Sequence, residues 1–279
     1  MTDALTPKSY IVHHLTNLTN TGHPQSTIVD FSLLNIDTLV WSIFAGLLII
    51  GCLYLTAKHA TTGVPNRLQA AVELLIEFVA DQSRTIVKSK QIFVAPLALT
   101  VFLWVVVMNA LDLLPVDLLP SLIHWAGFKE NHMRIVPTAD INTTMGMALG
   151  VLVISLYFAL KHKHLKGLLY ELITVPFGKN PFVWPFNLLM NLVEYIAKTL
   201  SLGMRLFGNM LAGELVFCLI ALLGAIWTGW NISSLMGTAG NVLTGIIWAV
   251  FHILIIVLQG FIFMMLTLIY IGQVYDHHE

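Results

Sequence analysis

Charge is what this chain has least of. Only 10% of its 279 residues are Asp, Glu, Lys or Arg, against about 25% in soluble domains. The 14 Lys and Arg are spread thinly, which excludes a strongly basic nucleic-acid binder, and a formal net charge of −1 says little about partners. Cysteine is almost missing too. Cys52 and Cys218 lie far apart inside apolar runs, with no CxxC partner and no nearby His, so they are expected as free thiols outside any redox or zinc chemistry. No HExxH, paired-Asp motif, Ser/His constellation or nucleotide-binding loop occurs, which speaks against an intramembrane hydrolase and places any ATP chemistry on other chains. No cofactor and no metal is expected. The first 35 residues lack the positive and apolar regions of a cleaved leader, so membrane insertion is expected to use the first apolar helix. No internal repeat is visible, which weighs against inverted-repeat transporters.

What is present is apolar surface in long runs. Hydrophobic residues make up 57% of the chain and the mean hydropathy is +0.81. Several runs approach the roughly 20 residues that a helix needs to cross a bilayer. The reading is an all-α polytopic membrane protein: a polar N-terminal segment, residues 1–37, then a single integral membrane domain, residues 38–279. His13, His14 and His23 in the N-terminal segment fit no standard metal spacing.

Residues 37–57 form the first expected span. Pro65 breaks the chain, and Asn66 is placed to cap a helix over residues 67–88. That helix is amphipathic. Glu73, Glu77, Asp81, Arg84 and Lys88 make one charged stripe, with Val72, Leu75, Ile76 and Val79 opposite, so it is expected at the interface and not across it. Residues 92–114 form a second span and residues 140–160 a third, the latter closed by Lys161, Lys163 and Lys166. From residue 184 to 227 there is no proline after Pro185 and the apolar period is helical. A helix of that length runs about 63 Å, twice the roughly 30 Å hydrocarbon core, so it must tilt strongly or leave one end at the interface. Residues 228–241, rich in Gly, Ser, Thr and Asn, read as a loop, and residues 242–274 as a last helix that tilts with its neighbour as an antiparallel hairpin. Lys58, Arg67, Arg84, Lys88 and Lys90 fall in one connection and Lys161, Lys163, Lys166 and Lys179 in another. The positive-inside rule then gives five crossings, with the N-terminus outside and the C-terminus inside.

Within the long helix the stretch Ser201-Leu-Gly-Met-Arg205-Leu-Phe-Gly-Asn209-Met-Leu-Ala-Gly-Glu214 stands out. Arginine at the centre of an apolar helix costs about 2.5–3.5 kcal/mol even on lenient insertion scales. No Lys or Arg follows Arg205, so nothing downstream can replace it. At about 100° per residue, Asn191, Glu194, Lys198, Ser201, Arg205 and Asn209 share one stripe, whereas Glu214 points about 180° away. Glu194 and Arg205 are about 16 Å apart along the axis, too far for a direct pair, and a partner from another chain is the economical reading. On the last helix His252 and Gln259 share a face, with Tyr270 in line. In an antiparallel hairpin centred near residue 232, Glu214 comes level with His252, and Arg205 with Gln259. That places Glu214 and His252 as partners on the outer side. Asn109 and Asp112, three apart, share a face at the end of the second span. Either they cap that helix at the surface or they line a route. Lys198 either snorkels to the inner surface or belongs to the polar stripe.

The 201–214 stretch resembles the signature of subunit a of bacterial F-type ATP synthases, and the resemblance runs from about residue 30 to the C-terminus. Met108-Asn-Ala-Leu-Asp-Leu-Leu-Pro115, Pro137-Thr-Ala-Asp-Ile-Asn142 and Phe251-His-Ile-Leu-Ile-Ile-Val-Leu-Gln259 support it. The resemblance implies a proton-translocating stator with two offset half-channels in the bacterial inner membrane, N-terminus periplasmic and C-terminus cytoplasmic. Its implied partners are the c-ring, peripheral-stalk b subunits, the lipid bilayer and the whole ATP synthase complex, with no nucleic acid. It further implies that Arg205 is the essential arginine facing the ring, with Asn209 and Gln259 as polar neighbours. Glu214, His252, Asn109 and Asp112 would line the outer half-channel, and Glu194 the inner one. Two departures stand out. Many members carry a carboxylate fourteen residues before the arginine, where this chain has Asn191, with Glu194 one turn later; and the 228–241 segment is longer than in well-known bacterial members. The alternative is a secondary transporter in which Arg205 binds a small anion, which requires a repeat that the sequence does not show.

Overall fold

The computed structural model describes residues 18–20, 34–87, 92–114, 134–178, 180–224 and 231–276. Among them are six α-helices: α1 (Ile36–Lys58), α2 (Arg67–Ile86), α3 (Val94–Ala110), α4 (Ile141–Thr174), α5 (Trp184–Gly224) and α6 (Ile232–Asp276). All but α2 are long and apolar enough to cross a membrane. The five expected spans and the separate amphipathic helix are therefore present. The expected positions His13, His14, His23, Lys88, Lys90 and Lys179 lie outside the described residues.

Helix α2 shows why its sequence reads as interfacial. Glu73, Glu77, Asp81 and Arg84 are exposed, while Val79 is buried. Asn66 does occupy the N-cap position with extended backbone, but its side chain makes no cap bond. Gln69 anchors the turn instead, accepting from Thr61 N at 3.2 Å and donating to Thr61 O at 3.0 Å.

The helix of the third span breaks at His164 (φ 56°, ψ 165°), inside the expected basic stretch 161–166, and the chain beyond it is not irregular: a second helical segment runs on to Thr174. Nor is 228–241 a loop throughout: α6 begins at Ile232, and residues 228–230 lie outside the description. There Thr238 Oγ1 donates to Ser234 O at 2.9 Å within the helix, so composition alone misleads. Helices α5 and α6, of 41 and 45 residues, run about 62 and 68 Å, so upright placement in the hydrocarbon core is impossible.

The described residues fall into two compact units. The first takes them from Met1–Ile50, Trp104–Asp140 and Phe207–Gln259. In it α3 meets α1 through Trp104 Nε1, which donates to Ser42 O at 3.2 Å, and α5 meets α6 through the rings of Phe217 and Trp248. The polar chain ends are tied by carboxylates. Asp37 Oδ2 accepts from Leu18 N at 3.0 Å and Arg134 N at 3.1 Å, and Asp140 Oδ2 accepts from Asn35 Nδ2 at 2.6 Å and Thr38 Oγ1 at 3.2 Å.

The second unit takes the described residues of Gly51–Leu103, Ile141–Leu206 and Gly260–Glu279. Ser155 Oγ of α4 donates to Tyr270 O of α6 at 3.1 Å. A Cβ on Gly203 of α5 would stand 2.5 Å from Met145 Sδ and 3.2 Å from Thr144 O, so the absence of a side chain there lets α4 and α5 approach. The turn from α4 to α5 is held by two amides. Asn187 Nδ2 donates to Ile173 O at 2.8 Å, and Asn191 Nδ2 lies 3.0 Å from Leu172 O, 2.8 Å from Val175 O and 3.0 Å from Asn187 O. These bonds satisfy carbonyls that the end of α4 leaves without intrahelical donors.

Candidate functional site

In the first unit the ionisable groups pair differently from the hairpin expectation. Glu214 does not go to His252. It accepts from Arg134 Nε at 3.3 and 3.2 Å and from Arg134 Nη2 at 2.5 Å, with both side chains only 8% exposed. Such a two-pronged contact fixes both the position and the orientation of the carboxylate. His252 is fully buried, and its Nε2 lies 2.7 Å from Asp112 Oδ2, an ion-pair approach that is out of line for a hydrogen bond. Its ring packs against Phe217 and Trp248 at 5.2 and 6.2 Å between centroids. Glycine at 213 makes this pair possible: a Cβ there would collide with the His252 ring and stand 3.1 Å from Asp112 Oδ2. Asn109, also fully buried, has neither side-chain polar atom hydrogen-bonded among the described residues. Asn209 Nδ2 donates to Gln259 Oε1 at 2.8 Å, which puts Gln259 opposite Asn209 instead of Arg205, about one turn from the expected register.

In the second unit a cavity of about 140 Å³ opens between α4, α5 and α6, lined among others by Lys163, Glu171, Glu194, Lys198, Tyr270 and Gln273. Lys198 Nζ reaches Glu194 Oε1 at 2.6 Å and Gln273 Oε1 at 2.9 Å, so it belongs to the polar stripe. Lys163 Nζ donates to both oxygens of Glu171 at 2.9 and 2.7 Å. Arg205 stands apart from these pairs. It is exposed on α5, its Nη2 is 3.5 Å from Ser201 Oγ, and no carboxylate among the described residues comes within ion-pair distance.

The sequence matches the description "ATP synthase A chain" over residues 39–272. The chain belongs to the ATP synthase A chain family. It is 50% identical to "ATP synthase subunit a" of Acidovorax sp. (strain JS42), covering 99% of this chain and 98% of that protein. It is 50% identical to the protein of the same name from Paracidovorax citrulli (strain AAC00-1), over 99% and 98% of the two chains. It is 45% identical to that of Vibrio parahaemolyticus serotype O3:K6 (strain RIMD 2210633), again over 99% and 98%.

For this member of the ATP synthase A chain family, sequence reasoning missed three groups. Arg134 read only as a loop charge, although its place three residues before Pro137-Thr-Ala-Asp140 ties it to a quoted motif. Asp37 read as the start of a span, and Glu171 was not singled out. No sequence signal points to Glu171, because its lysine, Lys163, stands eight residues away across the break at His164.

Proposed function

We propose that this chain is the proton-conducting stator of an ATP synthase membrane sector, with Arg205 as the group that meets the rotating ring of c subunits. Membership of the family makes it a non-catalytic membrane subunit of an ATP synthase, so the chemistry of ATP lies on partner chains. The observation that carries the proposal is Arg205 itself: an exposed guanidinium on a 41-residue apolar helix, with no carboxylate of the described residues beside it. Arginine stays charged at any working pH, and lipid alone does not satisfy it. A carboxylate presented by another chain within the bilayer does.

The two sets of polar groups then supply the two routes. Asp112 and His252, with Asn109 and Glu214, form the outer route, and intramembrane ionisable groups of this kind mark ion pathways. A proton passed to a ring carboxylate neutralises it, and only the neutral form enters lipid cheaply. After most of a turn the proton leaves by the cavity of Glu194 and Lys198. Arg205 attracts the ionised ring carboxylate and repels a proton crossing directly, while Asn209 and Gln259 supply neutral hydrogen-bonding groups. Each charge crossing about 100 mV contributes about 2.3 kcal/mol to the bias. The clustering of Lys and Arg in alternate connections supports an inner-membrane placement with the N-terminus periplasmic and the C-terminus cytoplasmic. Peripheral-stalk b subunits complete the stator.

Arg205→Ala is the test. Membranes carrying it are expected to lose coupled ATP synthesis and to leak protons passively through the sector. Coupled synthesis that survives the substitution would falsify the role of Arg205.

A further inference from the structure

We propose that Glu171 is a second carboxylate of the inner proton route, acting with Glu194 in the part that position 191 cannot play in this chain. The inference rests on the proton-stator reading above. Asn191 has no ionisable group, and its amide nitrogen is taken up by three backbone carbonyls at the α4–α5 turn, so it is a structural clamp. The cavity beside it nevertheless holds two carboxylates on two different helices, Glu171 on α4 and Glu194 on α5. Each faces a lysine: Lys163 at 2.7 Å from Glu171 and Lys198 at 2.6 Å from Glu194. The remaining ionisable groups lining the cavity are Tyr195 of α5 and Tyr270 of α6.

A volume of about 140 Å³ with such polar walls has room for several waters. Glu171 is 26% exposed and Glu194 57%, so neither is sealed within the chain, while each is fixed by a cation. Two carboxylates on different helices, each beside a lysine and both lining one cavity, form a proton-collecting vestibule. A proton arriving through water from the ring carboxyl binds a carboxylate oxygen, leaves the ring site ionised, and passes to water on the inner side. In reverse the same groups gather protons from the inner face.

A purely mechanical reading also exists, since Lys163 and Glu171 flank the break at His164 and could simply staple it. The test separates the two. Whole ATP synthase complexes are reconstituted in vesicles with the inner face outward, and ATP-driven proton pumping is measured as the inner-face pH is varied at fixed outer pH. Glu171→Gln is expected to lower pumping several-fold and to move the alkaline limb of the inner-face profile to lower pH, leaving the outer-face profile unchanged. Glu171→Gln with Glu194→Gln is expected to lower pumping tenfold or more. Lys163→Gln with Glu171→Gln, which removes the unpaired buried lysine, is expected to assemble but to keep the loss. Full pumping in that pair, or a wild-type inner-face profile in Glu171→Gln, overturns the proposal and leaves Glu171 a staple. Failure of the stator reading looks different: Arg205→Ala complexes would stay coupled, whatever happens at Glu171.

Discussion

Arg134 and Glu214 show what a buried charge demands of its surroundings. Both side chains are 8% exposed, and their closest approach is 2.5 Å. Removing one partner of such a pair leaves the other charge buried, typically at about 3–5 kcal/mol, whereas replacing both with apolar groups is often neutral. Arg134→Met is therefore predicted to destabilise the chain by about that amount, and Arg134→Met with Glu214→Met to recover most of it. Thermal unfolding of the purified complex reads both; a double variant as unstable as the single one contradicts the pairing. Asp112, His252 and Glu214 were legible as intramembrane ionisable groups because such residues are rare in spans. Their partners were not. Helical periodicity places a residue on a face of its own helix and says nothing of which third segment covers that face. Here the 3-10 turn after α3 brings Asp112 to His252, and the segment before α4 brings Arg134 to Glu214.

At the scale of elements, length and apolar period revealed the spans, and composition misplaced their limits. Basic residues marked the break in α4 but not the second helical segment beyond it, and Ser, Thr and Gly hid the first turns of α6. The contact of α4 with α5 depends on a single missing side chain, at Gly203. Met145 Sδ, the nearest atom to an added Cβ, belongs to a flexible side chain, but Thr144 O at 3.2 Å and Met145 Cα at 3.3 Å are backbone and cannot step aside alone. Gly203→Ala is predicted to lose about 1–3 kcal/mol by overpacking, with Gly150→Ala, where nothing lies within 4 Å, as the tolerated control. Equal unfolding temperatures for the two variants would remove the close approach as a packing constraint. The register of α5 against α6 was out of reach of the sequence in a similar way. It depends on where each helix begins, and the start of α6 at Ile232 was masked by loop-like composition.

For the molecule as a whole, the proposed orientation rests on the distribution of Lys and Arg. With Cys52 and Cys218 replaced, Asn20→Cys is predicted to react with an impermeant maleimide added to the outside of intact spheroplasts, and His278→Cys only in inverted vesicles. Labelling of both from one side would overturn the odd number of crossings. The sequence by itself determined the number of spans, the excess length of the last two helices, the amphipathic α2 and the isolation of Arg205 as the last cation of the chain, because these follow from local period, composition and the cost of charge in lipid. Only the tertiary structure decided that Glu214 belongs to Arg134 and His252 to Asp112, that Asn191 clamps a turn, and that Glu171 and Glu194 share one cavity. Those facts depend on lateral packing between segments distant in the chain, and the periodicity of a single helix does not encode its neighbour.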